Sequence, residues 1–361
     1  MEEKGKKGRM DYTLLLIVVL LVVIGLVILY STSAYNGQVK FHDSFYYLKK
    51  QAFATVLGIV LMLFVAGMDY HIWQRLAVFG HLAAVALSVA VMLFGREING
   101  SKRWLALGPF SFQPSEFAKV ALILFLADLV TKNVKTIGKM WTLCRIMFWI
   151  LPIVGLVGAS NLSTAIIILG IGVILIFVAS PKYAQFALMG IAGACFMGIF
   201  LALESYRLER LAIWRNPEKY EKGYQTLQGL YAIGSGGVFG VGIGNSVQKL
   251  GFVPEAQNDM IFSIICEELG LAGAGIIVFL FLLLIWRFFL IASGSRDLFG
   301  ALIATGAMAH MMIQVILNIA VVTNTIPNTG ITLPFISYGG TSVMFLLIEM
   351  GLVLSVSQVV D

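Results

Sequence analysis

Among the residues of this sequence that could do chemistry, Asp259 has the most telling position. It lies in Val253-Pro254-Glu255-Ala256-Gln257-Asn258-Asp259-Met260-Ile261-Phe262, where a polar stretch passes into an apolar run. Pro254 signals a chain about to enter a helix, and a carboxylate in the first turn sits near the positive end of the helix dipole. Held ionised at a membrane face, such a group suits general-base chemistry on the headgroup of an amphiphile. From position alone, a plain first-turn or N-cap acid is the stronger reading. Glu255 just upstream has three uses open to it: sharing the site, capping the helix, or holding a divalent cation.

A second pair is Glu116 and Lys119, in Phe112-Gln113-Pro114-Ser115-Glu116-Phe117-Ala118-Lys119. Pro114 and Ser115 mark a helix start, and a spacing of three puts carboxylate and ammonium on one helix face. Charges inside a span are expensive and face a partner or a cavity. The pair therefore reads either as a structural ion pair or as the polar wall of a substrate cavity. Glu267 and Glu268 are weaker candidates, since acids just inside a helix can simply bond neighbouring spans.

Two motifs look like known chemistry and are not. The run Gly234-Ser235-Gly236-Gly237-Val238-Phe239-Gly240-Val241-Gly242-Ile243-Gly244 has no preceding strand and no following helix with Lys-Ser/Thr, so a nucleotide loop is excluded. Close backbone approach, or amides turned toward a phosphate, stays open for it. Ser246-Val247-Gln248-Lys249 matches Ser-x-x-Lys without the companion Ser-Asp-Asn or Lys-Thr-Gly motifs, a chance match. Farther on, Thr332-Leu333-Pro334-Phe335-Ile336-Ser337-Tyr338-Gly339-Gly340-Thr341-Ser342 offers hydroxyls and glycines at the entry to the last apolar run. It reads as a tight re-entrant turn or as part of a cavity lining.

The elements that must position these residues are membrane helices. Of 361 residues, 59% are hydrophobic and 12% charged, well outside the range of soluble domains. Runs of about 20 apolar residues suffice to cross the hydrocarbon layer. Ten are predicted, near 11–32, 49–67, 75–94, 115–131, 142–158, 162–179, 184–203, 261–286, 298–321 and 340–359. The expected fold is an all-α polytopic membrane protein, a single membrane domain over 1–361. Residues 1–10 form a tail, and a large loop, 204–259, joins the seventh and eighth spans. An even span count puts both termini on one side, and Lys4, Lys6, Lys7 and Arg9 assign that side to the cytoplasm. The loop at 204–259, with the segments Ser33–Tyr47 and Gly95–Pro114, then lies outside. Inverted repeats and broken helices, the marks of many transporters, are not evident.

Cys144, Cys195 and Cys266 fall in or beside spans, so no extracytoplasmic disulfide framework is expected. His42, His71, His81 and His310 are scattered, which argues against structural zinc. The basic balance points to anionic lipid headgroups or a pyrophosphate rather than to nucleic acid.

Taken together, Gly223-Tyr224-Gln225, Ala232 through Gly237, Gly244 through Lys249, Pro254-Glu255 through Asp259, Glu267-Glu268-Leu269-Gly270 and Leu333 through Gly340 resemble the SEDS family of shape, elongation, division and sporulation proteins. Asn99-Gly100-Ser101-Lys102-Arg103-Trp104 and the Pro114 motif extend the resemblance to nearly the whole chain. It implies a peptidoglycan glycosyltransferase of the bacterial plasma membrane that polymerises lipid II into a nascent glycan strand. A class B penicillin-binding protein and other divisome or elongation proteins are the implied partners. The family's essential acid falls on Asp259, and its polar pair on Glu116 and Lys119. Arg207, Arg210, Glu255, Lys249, Ser337, Gly339 and Gly340 complete the expected substrate-binding set. No organic cofactor is expected; Mg²⁺ or Mn²⁺ held by Glu255 or Asp259 is compatible with the residues. Pro254-Glu255-Ala256 and Gly330 through Pro334 resemble the division type, a pattern shared with sporulation members. Two departures stand out. The family's usual aspartate at the start of the sixth span is Asn161, and its usual His-Thr before the acid is Gln257-Asn258, so that histidine is not the required base. A lipid II flippase and a non-catalytic scaffold for the transpeptidase are the competing readings.

Overall fold

The computed structural model describes residues 8–98, 101–107, 110–187, 190 and 211–359. Expected site residues Arg207 and Arg210 lie outside the described residues, as do Cys195 and most of the seventh expected span. Ten principal helices are described: α1 (Tyr12–Phe41), α2 (Tyr46–Gly67), α3 (His71–Phe94), α4 (Pro114–Asn133), α5 (Met140–Ser160), α6 (Leu162–Ala179), the short α7 (Tyr224–Ser235), α8 (Ile261–Gly294), α9 (Leu298–Val322) and α10 (Gly340–Ser357). Eight of them are long and apolar enough to cross a membrane. Helix α4, 20 residues long, is not among the eight, because it carries Glu116, Lys119, Asp128 and Lys132. The all-α polytopic membrane fold is as expected.

Burial explains how such charges are tolerated. From Ala118 to Asp128 every residue of α4 is buried, as expected of a helix surrounded by others. Helices α3, α5, α6, α9 and α10 pack around it. The peripheral faces invert the rule of soluble proteins: Leu16, Val23, Val60, Phe64, Phe79, Phe94, Phe279 and Trp286 are exposed, forming an apolar outer surface suited to lipid.

Hydrogen bonds sort the helix ends into two faces. On the first, Gly8 N donates to Gln358 O at 2.7 Å and Asp11 N to Ser357 Oγ at 3.1 Å. Arg287 pairs with Asp11, and Tyr70 with Asp297. The two ends of the described chain therefore meet on one face. Gln185 Nε2 donates to Gly138 O on that same face. On the opposite face, Trp214 Nε1 donates to Asn324 O at 2.9 Å, and Asn324 Nδ2 returns a bond to Trp214 O.

Three segments differ from the sequence-based expectation. Residues 33–41 are helical, continuing α1 to Phe41, because they contain no proline and Asn36 docks onto Gln257. The connection 95–113 carries a small antiparallel sheet, β1 (Arg96–Ile98), β2 (Ser101–Leu107) and β3 (Phe110–Phe112). Arg103 Nε, donating to Ser160 O, and Ser111 O, accepting from Thr341, tie this sheet to α5 and α10.

The third difference is in α8, which is broken. Gly270 has φ +67, and on either side of it the backbone turns to a partner. Val241 N and Gly242 N donate to the carbonyls of Glu267 and Glu268, while Leu271 N and Ala272 N donate to Gly237 O and Val238 O. The glycine-rich stretch thus closes the break and satisfies backbone groups that lipid could not. Approach this close demands glycine: a Cβ on Gly240 would fall 2.2 Å from Glu268 O, and one on Gly270 2.4 Å from Gly240 N. Of the two uses left open for this run, the structure displays close backbone approach.

Candidate active site

The Pro254–Asp259 turn sits where three parts of the chain converge. Glu255 adopts a left-handed backbone, φ 48, which is uncommon for any residue but glycine. Asn258 holds it there, its backbone N donating to Glu255 O and its Nδ2 to Glu255 Oε2, both at 2.9 Å. The turn delivers Asp259 ahead of α8, which begins at Ile261 with Met260 as its cap. The acid therefore lies outside the first turn expected for it and is not held ionised by the helix dipole. It sits beside Gln225 of α7 and the 323–339 connection. Gln225 Nε2 lies 3.4 Å from Asp259 Oδ1 and also donates to Pro254 O. Asn328 Nδ2 donates to Gln225 Oε1, and a Cβ on Gly330 would lie 3.7 Å from Asp259 Oδ2. From beneath, Asn318 Nδ2 donates to the Asp259 carbonyl at 2.9 Å.

These surroundings set the acidity of Asp259. Burial raises its carboxyl from 3.8 to about 6, the neighbouring Glu255 carboxylate pushes the same way, and the bond from Gln225 opposes them. A carboxyl tuned toward neutrality can accept a proton at physiological pH and release it again.

Glu116 and Lys119 form the expected ion pair, Nζ to Oε1 at 3.1 Å, but neither opens to a surface: Lys119 is 2% exposed and Glu116 6%. Their further bonds spread through the membrane interior. Ser342 Oγ donates to Glu116 Oε2 at 2.9 Å, and Lys119 Nζ to Gln314 Oε1 at 3.2 Å. Gln314 continues to His310 and to Thr332 O, and His310 to Glu349. In this arrangement the pair joins α4 to α9 and to the entry of α10.

Lys249 is placed apart from Asp259, in a buried cluster with Glu268 and Ser31. Its Nζ lies 2.6 Å from Glu268 Oε1 and 3.0 Å from Ser31 Oγ of α1. Glu267 accepts from Ser246 Oγ at 2.5 Å and from Val247 N at 3.0 Å. The Ser246 hydroxyl and the Lys249 ammonium therefore serve different acids, which agrees with a chance Ser-x-x-Lys match. Both glutamates bond to neighbouring segments and fasten the loop to α8.

Ser337, Gly339 and Gly340 build the turn into α10. Ser337 Oγ accepts from Leu333 N at 2.8 Å, and Gly339 N donates to Gln51 Oε1 at 3.1 Å. A Cβ on Gly340 would lie 3.1 Å from that of Ala54. Tyr338 N bonds Gln257 O at 2.9 Å, linking this turn to the one bearing Asp259. Asn161 caps α6, accepting from Thr164 N.

No site role is assigned from sequence to Gln225 or His310, named only in a family motif and among scattered histidines, and Gln314, Asn318 and Glu349 are not singled out there. The last four are buried polar side chains. Residues 310, 314 and 318 recur at four-residue spacing on one helix face, a signal that was available.

Comparison with known proteins agrees with this architecture. The model of the FtsW/RodA/SpoVE family, described as cell cycle protein, matches residues 12–361. Stage V sporulation protein E of Bacillus subtilis is 40% identical, over 98% of each chain. A probable peptidoglycan glycosyltransferase FtsW of Trichlorobacter lovleyi is 35% identical, over 96% of this chain and 93% of the relative. Among solved structures, a chain of a peptidoglycan synthase complex that coordinates polymerization and crosslinking superposes with a TM-score of 0.83 at 29% identity, covering 96% of this chain and 97% of that one. The rod shape determining protein RodA of Thermus thermophilus gives 0.72 at 28% identity, covering 96% of each. With the family's pattern matched from the first span to the last residue, this chain belongs to the FtsW/RodA/SpoVE family of cell cycle proteins.

Proposed function

We propose that this protein is a peptidoglycan glycosyltransferase that polymerises lipid II, with Asp259 as its general base. The observation that carries the assignment of the base is the position of Asp259, a carboxyl raised to about 6 at a loop–helix junction. Full-length relatives named for the same activity support the reaction class.

The donor is an α-linked lipid pyrophosphate and the product a β-linked glycan, so one inverting displacement suffices. The 4-hydroxyl oxygen of the acceptor GlcNAc attacks the donor's anomeric carbon. As that bond forms, the bond to the pyrophosphate oxygen breaks and undecaprenyl pyrophosphate leaves. Asp259 takes the hydroxyl proton, a role that contributes about 10²–10⁴-fold in rate. Charge developing on the leaving group calls for cations. Arg215 is exposed, next to Trp214, whose bonds to Asn324 place it beside the connection flanking Asp259. Arg207 and Arg210 are assigned the same work on sequence grounds.

Among the described residues no cluster of three or more His, Cys, Asp or Glu could hold a metal ion. An exposed Glu255 nevertheless fits the sparse mode in which Mg²⁺ takes one or two carboxylates and completes its shell with substrate phosphates and water. A cation so held would supply charge neutralisation to the pyrophosphate.

The process served is cell division on the motif reading. The 40% identity to a sporulation protein supports the second reading, a sporulation-specific enzyme. Both termini are assigned to the cytoplasm and the 211–260 segment to the outer face, where lipid II is consumed. The partner is a class B penicillin-binding protein, in keeping with the synthase complex that this fold matches. Purified protein with its partner and lipid II separates the competing activities. Polymer from the wild type and none from Asp259→Asn supports the proposal. Lipid II crossing vesicle membranes without polymer would favour a flippase, and neither activity would favour a scaffold.

A further inference from the structure

One face of α9 carries His310, Gln314 and Asn318, which are 1%, 2% and 0% exposed. Hydrogen-bond inventory fixes the direction of the bonds that Gln314 makes, and leaves the His310–Glu349 bond to one shared proton. Gln314 lies between Lys119 Nζ, which can only donate, and Thr332 O, which can only accept, so its oxygen faces Lys119 and its nitrogen Thr332. The same oxygen lies 2.8 Å from His310 Nε2, so that nitrogen carries hydrogen. His310 Nδ1 then faces Glu349 Oε2 at 2.8 Å, and one proton lies between them, on the imidazole or on the acid. At the other end of the stripe, Asn318 Nδ2 donates to two carbonyls, Asp259 O at 2.9 Å and Ile331 O at 2.7 Å.

We propose that this stripe is a positioning device for Asp259. Asn318 sets the backbone that bears the carboxylate, and the His310–Glu349 pair holds the stripe's hydrogen-bond direction from the far side. The inference rests on the reading of Asp259 as base. Packing alone would be served better by apolar side chains, since buried polar groups are costly unless fully bonded and Asn318 Oδ1 and Glu349 Oε1 have no hydrogen-bond partner among the described residues. What an apolar α9 could not do is tie Ile331 O to the carbonyl of Asp259 through one amide, Asn318, while Gln314 holds the next carbonyl, Thr332 O. None of the three side chains needs to touch substrate for this.

Steady-state polymerisation, with KM and kcat measured separately on protein recovered intact from membranes, provides the test. Misplacing a reacting group by about 1 Å costs about 10²-fold, so Asn318→Leu is expected to lower kcat by that order with KM within about threefold. Should Asn318→Leu not be recovered, Asn318→Ala deletes the same amide without adding bulk. Glu349→Gln keeps a donor toward His310 Nδ1 and is expected to retain most of kcat, whereas Glu349→Leu is expected to lose it. Wild-type kcat in the Asn318 variant, or a loss confined to KM, would overturn the proposal. Equal loss in Glu349→Gln and Glu349→Leu would overturn the part assigned to the shared proton. Asp259→Asn is measured alongside. Activity there removes the base itself, whereas an inactive Asp259→Asn beside an unaffected Asn318 variant removes only the positioning role.

Discussion

At the scale of single residues, the environment of Asp259 makes two consequences measurable. A base must be ionised to act, so kcat is expected to rise with pH through about 6 and level off above it, following the raised carboxyl. A profile flat from pH 5 to 8 would contradict this. The same raised carboxyl acts on stability with the opposite sense to a salt-bridged acid. Between its ordinary value of 3.8 and about 6, the folded protein binds the extra proton, so this residue's contribution falls as pH rises through that window. By pH 7 the penalty reaches about 3 kcal/mol at most. Asp259→Asn is therefore expected to be at least as resistant to heat as the wild type at pH 7, an outcome that a denaturation series in detergent will check. A lower melting point would show that the carboxylate is a stabilising cap instead.

Among elements, the joint between the glycine-rich stretch and broken α8 is the part most open to test. Gly270→Ala would drive a methyl group into backbone 2.4 Å away at a left-handed position, and loss of folded protein from membranes is expected. Full recovery of folded, active Gly270→Ala would count against the observed join. In the cluster above it, Glu268→Ala strands Lys249 inside the protein. Removing one member of a buried pair costs about 3–5 kcal/mol, a loss readable as a lowered melting point, and a change near zero would argue that Lys249 is free to move. Much of this was hidden in the sequence for a physical reason. Glu267-Glu268-Leu269-Gly270 sits in a run apolar enough to read as one helix, and the partners that close its break lie some 30 residues upstream. The β-strands at 96–112 are short and interrupted, so periodicity is silent there. Seven of the ten spans were legible to within about four residues because a hydrocarbon layer imposes their length, whereas α1 and α8 run on past their predicted ends at 32 and 286 to Phe41 and Gly294. The stripe at 310, 314 and 318 was legible only as spacing, for a lone histidine on an apolar helix is more often a bonded core residue than a functional one.

For the whole molecule, the two-face arrangement of helix ends makes topology testable. Gly8 and Gln358 meet on one face, whereas Trp214 and Asn324 bond on the other. Cysteine introduced near the C-terminus is expected to be shielded from an impermeant reagent added to intact cells, and cysteine at exposed Lys222 to be labelled. The reverse pattern would invert the assigned orientation and place the proposed base on the wrong side for extracytoplasmic substrate. On the proposed function, the fold converges on a single carboxylate, Asp259, held by α7, α9 and the connection before α10. The most direct measurement is lipid II polymerisation by Asp259→Asn, with lipid II binding followed in the same samples. Intact binding with no polymer and no released undecaprenyl pyrophosphate is the predicted result, and polymer formed at the wild-type rate would contradict the account.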